Sequence, residues 1–329
     1  MNDIFNFFGS ILGYLLWLFY LIVRNYGVAI ILFTIVVKVL LFPFSVKQQK
    51  SMAATAKMSV KQKELQKRYA NDKQKLQEET QKLYASEGVD PMGGCATMFL
   101  PFLVMFGLYY TVLNPLANAL HLSAGAITKA VDMLSRVPGL GSSYNAAYAQ
   151  IEIVKNFANL RPFLTMFGAH DLAKLESFSH GFMFLGLNLL QTPSDPSNIF
   201  GTLFQTNLWT IPVGCLVSSL LAQYFIMKLQ PGMQQQQGCM KLTFYLMPLI
   251  SVWFACTVPA AVGFYWIIST ITGFLQTVIL NAWFSPEDLN AQAEAKRVAR
   301  REIEEAARSP LPGWRRTAAE APKSARKRK

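Results

Sequence analysis

Lys38 is the residue whose type and place most need a chemical reason. It stands inside the apolar run YGVAIILFTIVVKVLLFPFS, twelve residues beyond Tyr26. At 1.5 Å per helical residue that is roughly 18 Å into a membrane span. A lysine at such a depth costs about 2.5–3.5 kcal/mol on insertion scales, and residues of this kind normally face a bundle interior or a watery cavity. Snorkelling is the plain alternative, with the amine reaching the nearer surface over about two turns. Thr34 lies four residues before Lys38 and Ser45 seven after it, which aligns two hydroxyls and an amine on one helical face. Ser219 and Gln223 are again four apart, and Trp266, Thr270, Gly273 and Thr277 follow steps of four, three and four. Taken singly, Ser, Thr and Gln in membrane helices are often hydrogen-bond glue between helices. Together with a lysine they describe a polar groove whose chemistry is electrostatic. No Asp or Glu falls within any of the long apolar stretches, so the counter-charge of Lys38 must be water, backbone carbonyls or an incoming ligand.

Covalent and metal chemistry have no comparable signal. His121, His170 and His180 are spaced too irregularly for a metal motif, and Cys95, Cys215, Cys239 and Cys256 form no CxxC pair, so the cysteines read as small packing residues. A nucleotide-binding GxxxxGK[ST] string is absent. The sequence therefore predicts no catalytic residue, no metal and no cofactor.

The elements that must hold these side chains follow from composition. Of 329 residues, 52% are hydrophobic and only 15% charged, yet the net charge is +12, concentrated in a few polar stretches. That excludes an ordinary soluble enzyme, a disordered chain and a disulfide scaffold. Five stretches approach the ~20 apolar residues that cross a bilayer: 26–46, 95–115, 208–228, 241–258 and 261–283. The expected fold is an all-α polytopic membrane protein with five transmembrane helices.

Charge sets the sidedness. The stretch 47–90 holds ten Lys/Arg against six Asp/Glu and the tail after Phe284 twelve against seven, whereas 116–207 holds five of each. Positive charge stays on the cytoplasmic side. The expectation is thus an outside N-terminus, a cytosolic helical hairpin over 47–94, an extracytoplasmic helical region over 116–207, a cytosolic loop over 229–240 and a basic cytosolic tail over 284–329. The stretch 4–23 has no preceding Lys or Arg and no small-residue cleavage site, which disfavours a removed signal peptide. Asn2, Asn6, Ser10 and Gly13 recur on one side, so residues 1–25 read as an interfacial amphipathic helix, with a sixth span as the alternative.

Three separated strings carry a resemblance: NYGVAIILFTIVVKVLLFPFSVKQQKSM, NDKQKLQEETQKLYASEGVDPMGGC and MPLISVWFACTVPAAVGFYWIISTITGFLQTVIL. In order and spacing they resemble the YidC/Oxa1/Alb3 family of membrane protein insertases, over residues 26–115 and about 205–284. The absence of a leading signal or lipid-attachment segment and of a large outer domain resembles the compact Gram-positive bacterial type. The resemblance implies a monomeric, ATP-independent insertase and chaperone of the bacterial plasma membrane, with a hydrophilic groove open to the cytosol and lipid. It implies nascent membrane proteins as clients, the ribosome and the Sec translocon as partners, and membrane lipids around it. Lys38 matches the family's groove cation, although bacterial members usually carry arginine there; Thr34, Gln223 and Trp266 match other groove positions. Ser219 and Thr270 join them on spacing alone. The terminal SARKRK reads as a topology signal or anionic-lipid contact, or, by resemblance, as a contact for ribosomal RNA. Competing readings are a small-anion transporter and a membrane assembly scaffold.

Overall fold

The computed structural model describes residues 2–87, 104–137, 146–195, 198–229 and 239–308. Long helices form one part and a cap of short elements the other. The long ones are α1 (Asn2–Val23), α2 (Tyr26–Leu40), α3 (Phe42–Arg68), α4 (Lys73–Glu87), α5 (Val104–Leu113), α11 (Thr210–Leu229), α12 (Cys239–Thr257), α13 (Ala260–Trp283) and α14 (Pro286–Arg308). Among the described residues, two helices are long and apolar enough to cross a membrane, Asn207–Leu229 and Ala260–Trp283. A third crossing exists if the bent pair Tyr26–Leu40 and Phe42–Lys50 is one span. The expected second span begins outside the described residues, leaving α5 as its visible part, and α12 carries Pro248 within it.

The first apolar run does not continue straight to residue 46. It bends by 54° at Leu41, and α3 starts there with Pro43 in its first turn. Proline has no N–H to donate and its ring crowds the preceding turn, so a break before Pro43 is the low-energy solution. Beyond the bend, α3 runs unbroken to Arg68. It turns through Tyr69–Asp72 into α4, where the Asp72 carboxylate caps the new helix by accepting from the Lys75 N–H at 3.0 Å. α14 packs against α3.

α1 packs on α2 and on a π-helical turn, Pro115–Ala119. Its buried face is Gly9, Gly13, Leu16 and Tyr20, at steps of four, three and four, while Phe7, Ile11, Tyr14, Leu18 and Ile22 are exposed. The helix thus turns an apolar face outward, as lipid contact requires. Small residues allow the close approach: a Cβ on Gly13 would lie 1.9 Å from the Asn118 carbonyl oxygen. Thr111 fastens the same contact by donating its hydroxyl to the Gly9 carbonyl at 2.7 Å.

The cap comprises α6 (Ala124–Leu134), α7 (Ala149–Lys155), α8 (Phe157–Leu160), α9 (Ala169–His180), β1 (Met183–Phe184), β2 (Leu187–Asn188) and α10 (Ile199–Thr202). The all-α expectation holds apart from this two-residue antiparallel hairpin, with Met183 opposite Asn188 and Phe184 opposite Leu187. The core is continuous from the cap into α1, α2 and α13. At the junction Phe178 meets Tyr20 and Tyr26 edge-on at 5.4 and 5.7 Å, and Phe182 lies 4.4 Å from Tyr26. Such ring pairs add about 0.5–1.5 kcal/mol each beyond the area they bury.

Hydrogen bonds tie the cap to the α12–α13 turn. The first N–H groups of a helix have no partner within it; here Ala260 and Ala261 donate to the carbonyls of Gln191 and Leu189, each at 2.8 Å. Ser194 donates to the Cys256 carbonyl from both its N–H and its hydroxyl, at 3.1 and 2.8 Å. The cap thereby closes one end of the helical part.

Candidate functional site

A cavity of about 400 Å³ lies between α2, α3, α11 and α13. α2 contributes Thr34, Val37 and Lys38, and Leu41 at the bend continues the same face at helical steps. After the bend, α3 contributes Phe44, Ser45, Gln48 and Gln49. The longest wall is α13, with Tyr265, Ser269, Thr270, Gly273, Gln276, Thr277 and Leu280 among its lining residues. α11 presents only Ala222 and Ile226, and α5 its first residue, Val104.

Lys38 is the one charged residue among the described residues that line the cavity. Its amine reaches the bare backbone of α13: a Cβ placed on Gly273 would lie 3.3 Å from Nζ. The Gly273 carbonyl already accepts the Thr277 hydroxyl at 2.9 Å. Hydroxyls and amides supply the remaining polarity, and among the described residues no carboxylate lines the walls. The cavity thus sets one lysine amine against hydroxyls, amides and a bare stretch of helix backbone.

Of the six residues expected in a groove, three line this cavity: Lys38, Thr34 and Thr270. Thr34 is buried, and its hydroxyl donates to the Ile30 carbonyl of its own helix at 2.7 Å, so it offers little to a ligand. Ser219, Gln223 and Trp266 are half-buried and not among the lining residues. Ser219 shares the azimuth of Ile226 but lies two turns nearer the cap, and the wall position expected of Trp266 is taken by its neighbour Tyr265, whose ring meets Phe33 at 6.5 Å.

Sequence spacing missed Gln276, Gln48, Gln49 and Ser269. Gln276 matters most, because its amide donates to the Ser45 hydroxyl at 2.9 Å and so bridges α13 to the first turn after the bend. Ser45 in turn donates to the Leu41 carbonyl at 3.1 Å. A glutamine within an apolar span is itself the signal that could have found it. Gln276→Leu is expected to destabilise the protein by about 0.5–1 kcal/mol, typical of one interhelical hydrogen bond in a membrane protein. Adding Ser45→Ala should then have almost no further effect; thermal unfolding of the two single variants and the double variant in detergent checks this.

Cys215 and Cys256 are buried, and Cys215 donates to the Gly263 carbonyl at 3.3 Å between α11 and α13. This is a packing role.

The family described as 60Kd inner membrane protein matches residues 17–287. "Membrane protein insertase YidC" of Syntrophus aciditrophicus is 46% identical over 91 residues, 28% of this chain and 17% of that protein. Its namesake from Caldanaerobacter subterraneus subsp. tengcongensis is 42% identical over 98 residues, 30% of this chain and 48% of that protein. The one from Endomicrobium trichonymphae is 28% identical over 236 residues, 68% of this chain and 40% of that protein. The matched stretches thus span less than half the length of each of these relatives. With the family match covering most of the sequence and apolar helices of membrane-spanning length beneath it, the chain belongs to the YidC/Oxa1 family of inner membrane proteins.

Proposed function

We propose that the protein inserts nascent membrane proteins, and helps them fold, by admitting their hydrophilic tails to the Lys38 cavity. The observation that carries this reading is the cavity itself, a space between apolar helices into which Lys38, hydroxyls and amides project and which, among the described residues, no carboxylate lines. Hydroxyl and amide groups replace part of a tail's hydration, which lowers the barrier to its entering the membrane. Lys38 attracts acidic residues in the tail, and the exposed apolar faces of α11 and α13, including Val217, Leu221, Ile271 and Leu275, receive the hydrophobic segment as it passes to lipid. No bond is made or broken, so the work requires neither an enzyme active site nor ATP.

In this reading α2 with the start of α3, the helix containing α5, α11, α12 and α13 are five spans, the cap is extracytoplasmic, and α1 lies in the outer interface. The α3–α4 hairpin, α14 and the basic tail then face the cytosol, where a monomer would meet the ribosome, with the tail on anionic lipid or ribosomal RNA. Insertion proceeds alone or beside the Sec translocon.

The test is reconstitution of the full chain in liposomes. A single-span client with a short acidic tail should become protease-protected in these vesicles and not in empty ones, with or without ATP. Protection no greater than in empty liposomes would sink the proposal. Saturable uptake of a small labelled anion by the same vesicles would instead identify a transporter.

A further inference from the structure

The segment between α9 and α10 makes an unusual use of leucine. β1 and β2 are joined by Leu185 and Gly186, whose φ angles are +51° and +78°. Positive φ at both central residues is the turn geometry that suits a two-residue hairpin, and it selects Asn, Asp or Gly. Gly186 fits without strain, whereas a leucine in the left-handed region crowds its own backbone. The leucine side chain is also 85% exposed, and a Cβ added to Gly186 would meet nothing within 4 Å. The hairpin tip therefore stands clear of the protein and presents a bulky apolar group on a strained backbone. In water both features are unfavourable, and an asparagine would remove both.

The hairpin is fixed at a definite level. The Phe184 ring lies 5.1 Å from Phe264 and covers Gly27, where a Cβ would fall 2.3 Å from the ring. Asn25 anchors the same strand by donating its amide to the Met183 carbonyl at 2.9 Å. Gly27 and Phe264 belong to the first two turns of α2 and α13, so the hairpin clasps the flanks of two apolar helices just inside their capped ends. Exposed apolar groups stand on the neighbouring segments, Met183 beside the tip and Ile22 near the end of α1, together with the exposed polar side chains of Arg24 and His180. Trp209, immediately before α11, pairs with the exposed Phe204 at 6.2 Å. Tryptophan at the end of a membrane helix marks the headgroup level.

We propose that the Leu185 tip is embedded in the leaflet on the cap's side, its side chain among lipid acyl chains, so that the bilayer holds the cap down. The proposal rests on the chain being a membrane protein and does not depend on the insertase reading. Hydrocarbon is the occupant that makes an exposed leucine favourable, and the strand that carries the tip packs through Phe184 on the flanks of two apolar helices.

The test is spin labelling of the full chain in lipid vesicles, with Leu185→Cys as the labelled site and Cys95 and Cys239 replaced by serine. A label at 185 should collide readily with oxygen and be shielded from a water-soluble nickel chelate, whereas a label at Lys129→Cys on α6 should show the reverse. Leu185→Asn provides the second arm: its thermal midpoint should not fall, because asparagine accepts the positive φ, yet a label at Met183→Cys should become more accessible to nickel. Greater nickel than oxygen access at 185 would overturn the proposal in favour of an aqueous tip. Exclusion of both reagents would overturn it in favour of a protein partner covering the tip.

Discussion

Lys38→Glu is expected to reduce the inserted fraction of an acidic-tailed client by about tenfold or more, with Lys38→Gln intermediate and Lys38→Arg close to the parent. Two unit charges about 5 Å apart at an effective dielectric of about 20 interact by roughly 3 kcal/mol, and hydration of an open cavity screens that to about 1–1.5 kcal/mol. A loss of that size is about a factor of ten. Glutamate goes further than glutamine because attraction becomes repulsion, not merely zero. Arginine keeps the charge, and the missing side chain at Gly273 leaves its broader head a surface to lie against. Protease protection of the client in liposomes containing each variant is the measurement, with an uncharged-tail client as the control that should respond little. Equal insertion by all four proteins would remove the electrostatic role of Lys38 while leaving insertion by the cavity open.

The second large effect concerns stability. Gly13→Val should lower the thermal midpoint in detergent by roughly 6 °C or more, the shift expected for about 3 kcal/mol in a chain of this size. The added Cβ would fall on a backbone oxygen, that of Asn118, and 3.3 Å from the Thr111 methyl. Backbone cannot rotate out of the way, so α1 must lift from the π-helical turn, at about 1–3 kcal/mol for overpacking. Lifting also breaks the bond from Thr111 to the Gly9 carbonyl, a further loss of about 1 kcal/mol. Gly125 in α6 is the matched control, because a Cβ there meets nothing within 4 Å. Gly125→Ala should be neutral or stabilising by about 0.5–1 kcal/mol through helix propensity. A Gly13→Val protein as stable as the parent would mean that α1 does not dock on the turn.

Lys38 was legible in the sequence because a charge within an apolar run has few places to go. Helical spacing was sufficient to bring Thr34, Thr270 and Gly273 to the same cavity. The register failed by one residue at the cap end, where Tyr265 and not Trp266 enters the wall, since stripes from either converge on Gly273 within the 3.6-residue period. Gln48 and Gln49 were hidden for a different reason. They follow the Leu41 bend, and a polar helix after a proline looks like the beginning of a solvated hairpin until the bend is seen to fold it back over the cavity. In the cap, α9 has only Leu172, Leu175 and Phe178 to mark its apolar side, a weak signal set in the charged string AHDLAKLESFSH. The hairpin was equally concealed, because its turn lacks the Asn-Gly or Asp-Gly pair by which such turns are recognised.

The continuity of α3 has a mechanical meaning. One unbroken helix of 27 residues begins at the cavity wall and ends at Arg68, a length of about 40 Å. Swinging it by 5° about Leu41 carries the far end through roughly 3.5 Å but moves Ser45, one turn from the pivot, by only about 0.5 Å. The helix is therefore a lever with a mechanical advantage near seven toward the cavity. A load placed at the tip of the α3–α4 hairpin would therefore reach the Ser45–Gln276 contact as a displacement about sevenfold smaller, and α14 packs on the same arm.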